Sequence, residues 1–216
     1  GWGQGPLHSQ SLETLFGHIP GLKVLMPATA EDCNGMLLSA IEDENPVIFL
    51  EHRWIHYVKG EIATGYHPAA IDGPKQLSKG ESATVVASSY MTLEALQAVG
   101  ALSEEGCDVD LFDLRVLRPL KLERIFESVS RTGRLLVVDL GWKILGPGAE
   151  IVSQVVEHCF DDLKSPPKRL GLPDHPTPSA KSLAAEFYIR AEHIADAIGE
   201  LAKLPSDISA RVIAKL

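Results

Sequence analysis

Long apolar runs are missing from this sequence of 216 residues. The longest, around Leu135–Val138, has strand length, far below the roughly 20 residues that cross a bilayer. No membrane association is expected. The opening Gly1-Trp2-Gly3-Gln4-Gly5 has neither a basic end nor an apolar stretch, so no secretory leader is expected there. A basic excess is missing too. Twenty Lys+Arg against 29 Asp+Glu leave a net charge of −9. A sequence-independent nucleic-acid binder needs a cationic face to neutralise phosphates, and no Lys/Arg cluster supplies one. Cysteine is scarce: Cys33, Cys107 and Cys159 are odd in number and far apart, with no metal-type or redox-type spacing. They read as buried, reduced thiols of a cytoplasmic protein, or of one in the mitochondrial matrix of a eukaryote.

Several motifs are absent as well. There is no G-x-x-x-x-G-K-[ST] phosphate loop and no G-x-S-x-G nucleophile elbow. Gly1-x-Gly3-x-Gly5 follows no strand, so it is no dinucleotide fingerprint. His52 and His56 stand four apart, but they follow a strand and lack a Cys or carboxylate set, which leaves an ordinary surface loop as the simpler reading.

What is present is alternation. Ser9–Phe16 reads as a short helix closed by Gly17, and Lys23–Met26 as a strand stopped by Pro27. Thr29 reads as a helix N-cap with Asp32 three residues on. The helix it opens carries Cys33, Met36, Leu37, Ala40 and Ile41 at helical spacing. Val47–Leu50 is a continuous apolar run, the pattern of a strand buried on both faces. Residues 59–80 hold glycines and prolines without a period and read as a linker. Beyond it strands at 83–87, 109–114, 135–139 and 169–172 alternate with helices at 92–105, 120–129, 149–158 and 193–203. In the first of these helices Leu93, Leu96, Val99 and Leu102 mark one apolar face. Such alternation implies right-handed crossovers and a mostly parallel, helix-covered sheet, hence an α/β fold.

Two stretches carry chemistry. In Gly5-Pro6-Leu7-His8-Ser9-Gln10-Ser11 a Gly-rich loop leads into a helix, which would set His8, Ser9 and Gln10 at a helix N-terminus. Such an end attracts anions, and His8 could trade a proton near neutral pH. A plain capping cluster is the other reading. In Ser39–Asn45 a helix C-terminus runs into a strand, and its unpaired carbonyls beside a carboxylate and an amide oxygen form an oxygen cup suited to a cation. A solvated acidic turn is the alternative.

The strings H-S-Q-S-L-E-x-x-F-G-H-I-P-G-L-K-V, M-P-A-T-A-E-D and S-A-I-E-D-E-N-P-V-I-F-L-E resemble the beta subunit of the decarboxylating component of 2-oxoacid dehydrogenase complexes, a transketolase-like thiamine diphosphate enzyme. Asp113–Leu120, Arg131–Leu135, Gly148–Ile151 and Pro173–Pro178 resemble that family's C-terminal domain, and the resemblance runs over about residues 3–200 in order. It implies a partial pyrimidine-binding domain over 1–58, the linker 59–80, and a three-layer α/β/α transketolase C-terminal-like domain over 81–216. It implies oxidative decarboxylation of a 2-oxoacid and acyl transfer to a lipoyl acceptor. Thiamine diphosphate and magnesium would be held in the assembled enzyme, with an alpha subunit and a second beta subunit as partners.

Residue by residue, the resemblance makes His8 a catalytic residue lining the channel to the cofactor, and Ala40, Asp43 and Asn45 a structural potassium site. The family's activating glutamate falls in a part of the pyrimidine-binding domain outside these 216 residues, and its diphosphate-binding motif on the alpha subunit, so this chain alone would hold neither half of the cofactor site. Lys164 stands where the family carries an acid for acyltransferase docking, and a like charge there opposes a basic partner. Two alternatives stay open: a transketolase-like ketol transferase, and a non-catalytic module that dimerises and scaffolds.

Overall fold

A computed structural model describes residues 4–216. Among them, short helices α1 (Gly5–His8) and α2 (Glu13–Gly17) precede strand β1 (Lys23–Leu25), helix α3 (Ala30–Glu42) and strand β2 (Val47–Phe49). Then come β3 (Lys75–Ser78), β4 (Thr84–Ala87), α4 (Tyr90–Ser103), β5 (Asp110–Asp113), β6 (Val116–Arg118) and α5 (Glu123–Thr132). The chain closes with β7 (Leu135–Trp142), α6 (Pro147–Cys159), β8 (Lys168–Leu172), α7 (Lys181–Phe187), α8 (Ala191–Ala202) and α9 (Ser206–Ile213).

The large sheet has the order β3-β5-β4-β7-β8, parallel except for the edge pair β3/β5. Side chains alternate across it, as a strand's period of two requires. Val85, Ala87, Leu136 and Val138 face α4, α8 and α9 on one side. Val86, Leu135 and Val137 face α5 and α6 on the other. This is the expected three-layer arrangement. The small sheet, β2-β1-β6, pairs β1 with β2 in parallel and with β6 antiparallel.

In the strands and helix faces, sequence expectations depart from this structure in four places. The linker ends in a strand, since β3 zips onto the edge of β5. β6, which follows β5 after two residues, leaves the large sheet and joins the small one; no alternation signal marks a three-residue strand that changes partner. The strand at 47–50 is not buried on both faces: Val47, Ile48 and Phe49 are half-buried, because β2 is the open edge of its sheet. On α4, Leu96 is exposed while Met91, Ala95, Ala98, Val99 and Leu102 are buried. The alanines let the helix approach α8 closely, so the face is chosen by fit rather than by side-chain size.

Cys107 and Cys159 are buried as expected, whereas Cys33 is only half-buried. Thr29 caps α3 as expected, its Oγ1 accepting from the Asp32 N–H at 3.2 Å. No described helix is long and apolar enough to cross a membrane.

The two sheets are locked by Arg115, held at a φ of 48° between β5 and β6. Its guanidinium donates to Asp32 Oδ1 of α3 at 2.8 Å and to the Gly73 carbonyl at 3.2 Å, and its own carbonyl accepts from the Met26 N–H at 2.7 Å. Both members of the ion pair are buried, and Lys75 adds a second cation 3.4 Å from Asp32.

Candidate active-site cavity between the two sheets

Where the segment 8–16 crosses the C-terminal ends of β1, β4 and β7, a cavity of about 310 Å³ opens. His8, Gln10, Ser11 and Glu13 line one wall; Leu50, Glu51, His52 and Arg53 line another; Ser89 and Leu140 come from the large sheet. A cleft at the carboxyl ends of parallel strands, where two units meet, is the usual place for a ligand in an α/β protein.

His8 reaches the cavity, but not from a helix N-terminus. It is the last residue of the four-residue α1, and the next helix starts only at Glu13. α1 starts at Gly5, four residues before the expected point, and ends at Ser9; Gly5 has a φ of 79°, and a Cβ there would lie 2.5 Å from Ser179 Oγ. Ser9 turns inward, and its hydroxyl accepts from the Gln4 N–H at 2.8 Å. Neither α1 nor α2 has a side-chain N-cap, and the exposed His8 is left lining the cavity.

Sequence reasoning passed over the residues beneath it. Glu13 is buried, and burial pushes its carboxyl up from the ordinary value. Asp139 on β7 is buried too; desolvation pushes it up to about 7 against one hydrogen bond, from the Gly148 N–H at 2.8 Å. Its other oxygen has no partner. Ser89, at a φ of 53°, buries an unpartnered hydroxyl in the cavity wall. The available signal was the glycine pattern after Asp139. A Cβ at Gly146 or Gly148 would come within 2.9 or 2.5 Å of Asp139 Oδ2, so these positions admit only glycine.

His52 lies in a loop, as expected, but is buried rather than on the surface. Its Nδ1 accepts from the Trp54 N–H at 3.3 Å, and its ring stacks on Tyr90 at 5.1 Å. His56 lies on the surface, 3.6 Å from Glu51. Among the described residues no group of three or more His, Cys, Asp or Glu side chains is placed to hold a metal ion.

The turn after α3 corrects the oxygen cup. Asp43 has no free carboxylate oxygen: Oδ2 pairs with the Lys23 ammonium, and Oδ1 accepts from the Asn45 N–H at 2.9 Å and Nδ2 at 2.8 Å. Lys23 first, then Asn45, hold the Asp43 carboxyl down to about 2. A cation bound by Ala40, Asp43 and Asn45 would therefore rely on main-chain carbonyls and the Asn45 Oδ1 rather than on the Asp43 carboxylate.

Lys164 is engaged within the chain, its ammonium donating to the Thr132 carbonyl at 3.1 Å. That carbonyl lies at the C-terminus of α5, where a cation is favoured by the helix dipole.

The sequence matches the transketolase pyrimidine-binding domain over residues 3–56 and the transketolase C-terminal domain over residues 74–194. It is 38% identical over 176 residues to the pyruvate dehydrogenase E1 component subunit beta of Rickettsia bellii, covering 82% of this chain and 54% of that one. To the 2-oxoisovalerate dehydrogenase subunit beta of Bacillus subtilis it is 36% identical, covering 91% and 61%. To the acetoin:2,6-dichlorophenolindophenol oxidoreductase subunit beta of Cupriavidus necator it is also 36% identical, covering 88% and 56%. The chain thus spans little more than half the length of these relatives. Among solved structures it resembles a split-gene transketolase, an inactive beta4 tetramer, with a TM-score of 0.67 at 23% identity, covering 89% of this chain and 61% of that one. The chain belongs to the transketolase family, as a partial pyrimidine-binding domain joined to a transketolase C-terminal domain of the type found in the beta subunits of 2-oxoacid dehydrogenases.

Proposed function

We propose that this chain is part of the beta subunit of a thiamine-diphosphate-dependent 2-oxoacid dehydrogenase, which decarboxylates a 2-oxoacid and passes the acyl group to a lipoyl acceptor. The observation that carries the reading is His8 on the rim of a cavity between the two sheets, within the string that resembles the family. In this reading residues 1–58 are the pyrimidine-binding part, 59–80 cross to the second unit, and 81–216 form the C-terminal domain.

The cofactor, when bound, supplies the electron sink for decarboxylation. By the family resemblance, magnesium and the diphosphate are assigned to an alpha subunit, and a second beta subunit completes the assembly. The residues present fit the access side of such a site. His8 is exposed at the rim, where it can hold or hand over a proton to an incoming acceptor. Gln10 and Arg53 supply donors toward an anionic group. Leu50, Phe16 and Met26 keep part of the wall dry. The main-chain oxygens at Ala40, Asp43 and Asn45 are the proposed structural potassium site. With Lys164 held by α5, docking of the lipoyl acyltransferase does not run through an acid at that position.

The similarity to an acetoin oxidoreductase subunit keeps acetoin beside the 2-oxoacids as a candidate substrate. The test is reconstitution with the alpha subunit, thiamine diphosphate and magnesium, assayed on pyruvate, branched-chain 2-oxoacids and acetoin. His8→Ala should lower kcat for acyl transfer by about 10²-fold, while the melting temperature stays put. Normal turnover in that variant would remove His8 from the site.

A further inference from the structure

Where β4 turns into α4, the chain reaches the wall of the cavity. Ser89 is the N-cap of the 14-residue α4, with a φ of 53° and a ψ of −132°, and its hydroxyl makes no capping hydrogen bond. The residue is 1% exposed, and its hydroxyl is buried without a hydrogen-bond partner, although Ser89 lines the cavity. A buried hydroxyl is costly to leave unpaired, so an acceptor entering the cavity gains a bond that the chain itself does not make. The main chain around it carries the same sign. The Met91 and Thr92 N–H groups turn back to the Ser88 and Ser89 carbonyls, at 3.1 and 3.0 Å. Among the described residues the amides of Ser89 and Tyr90 have no main-chain acceptor. With the helix dipole behind them, they make this end of α4 positive.

Ser11 brings a second such hydroxyl. Its Oγ is also buried without a partner, and it lines the same cavity. Its Cβ lies 2.8 Å from where a Cβ at Gly141 would stand, so Ser11 rests on β7. β7 is the neighbour of β4: Ala87 pairs with Val138, and Ser89 and Leu140 each follow by two residues. Ser89 and Ser11 therefore stand at the carboxyl ends of adjacent parallel strands, which run about 4.8 Å apart. Arg53 adds a cation from another wall, and Glu13 and Glu51 share the lining.

We propose that the N-terminus of α4, with the hydroxyls of Ser89 and Ser11, is a binding site for the carboxylate of a small monoanionic acid. A carboxylate only accepts hydrogen bonds, which suits a wall of unpaired donors. Helix N-termini favour anions. The two acidic side chains of the lining oppose a dianion more than a monoanion, which makes phosphate the poorer guest. Resting on the activity proposed above, the acid is the 2-oxoacid substrate, held by its carboxylate while the rest of the molecule lies in the cavity.

Amide NMR of the full 216-residue chain, titrated with pyruvate and acetate at constant ionic strength, tests this. The Ser89 and Tyr90 amide protons should shift saturably with both acids. Acetoin, which lacks the carboxylate, should leave them unmoved, and inorganic phosphate should bind more weakly than either acid. Ser89→Gly is the deciding variant, because glycine takes a φ of 53° without strain. Its affinity for pyruvate should fall about tenfold, while the melting temperature holds or rises. Ser11→Ala should weaken binding as well. The titration needs neither alpha subunit nor cofactor, so a reconstituted enzyme inactive on 2-oxoacids would unseat the proposed activity and not the carboxylate site. No saturable shift at these two amides, an equal response to acetoin, tighter binding of phosphate, or full affinity in Ser89→Gly would overturn the site.

Discussion

The two sheets of this molecule are built to different standards of closure. In the large sheet every residue of β4 is buried, and helices cover both faces. In the small sheet β2 is half-buried along its whole length, and Leu37 and Ile41 of the neighbouring α3 are exposed. The small sheet borrows its third strand, β6, from the second half of the chain, and Val24 and Met26 pack into a core built mostly by β4, β5, β7, α5 and α6. The second unit can therefore organise itself, while the first depends on the second.

The charges differ in the same way. The half-buried acid beside the first sheet, Asp43, is held down by Lys23; those that the second sheet buries, Asp113 and Asp139, are pushed up to about 7, mainly by desolvation.

That contrast predicts opposite pH signatures. A buried acid raised when folded keeps its proton more tightly in the native state, so its favourable share is present at low pH and is lost as pH climbs from about 4 toward 7. For Asp113 the loss amounts to at most roughly 4 kcal/mol. Denaturant titrations at pH 5 and pH 8 should show stability falling with pH, and Asp113→Asn should flatten the slope. Asp43 acts the other way: its share is present above its ordinary value and disappears as pH falls toward about 2.

Arg115→Ala removes the lock and leaves Asp32 buried with only Lys75 nearby. Breaking a buried ion pair from one side costs about 3–5 kcal/mol, here at the lower end. Proteolysis should then attack the first unit before the second; simultaneous attack on both would mean that the units are not held by this pair.

Packing predicts a third asymmetry. Leu136→Ala in the middle of the large sheet should cost about 2–5 kcal/mol, whereas Ile48→Ala on the half-buried edge should cost about 1 kcal/mol or less. Equal losses by chemical denaturation would show that β2 is as well covered as β7.

The smallest effect belongs to the cation. Replacing a large organic cation by potassium at constant ionic strength should raise the melting point through binding to the native state, by about 1 kcal/mol at several times Kd. Asp43→Ala frees Lys23 and Asn45, loosens the turn and should reduce that increment. An unchanged increment would argue against a site at Ala40, Asp43 and Asn45.

His8 was named from the sequence because the string around it is distinctive, but its placement required the structure. The sequence read one helix from Ser9 where the structure has two short ones, and Gly5, which opens the first, packs closely against Ser179, far away in the chain. Glu13 gave no local signal, and Asp139 only the glycines at 146 and 148, because a lone acid in a helix or at a strand end looks solvated until both surroundings are known.

Local chemistry alone determined the alternation of elements, the cap at Thr29, the period-two split of β4 and β7 between two faces, and the α/β class. These follow from propensities and side-chain direction, which act over a few residues. The tertiary structure decided which strand crosses to the other sheet, which face of α4 is buried, that Asp43 is spent on Lys23, and that Glu13 comes to lie over Gly141. Each depends on a partner about 20 to 130 residues away along the chain, and packing fit and desolvation are settled only when both partners are in place.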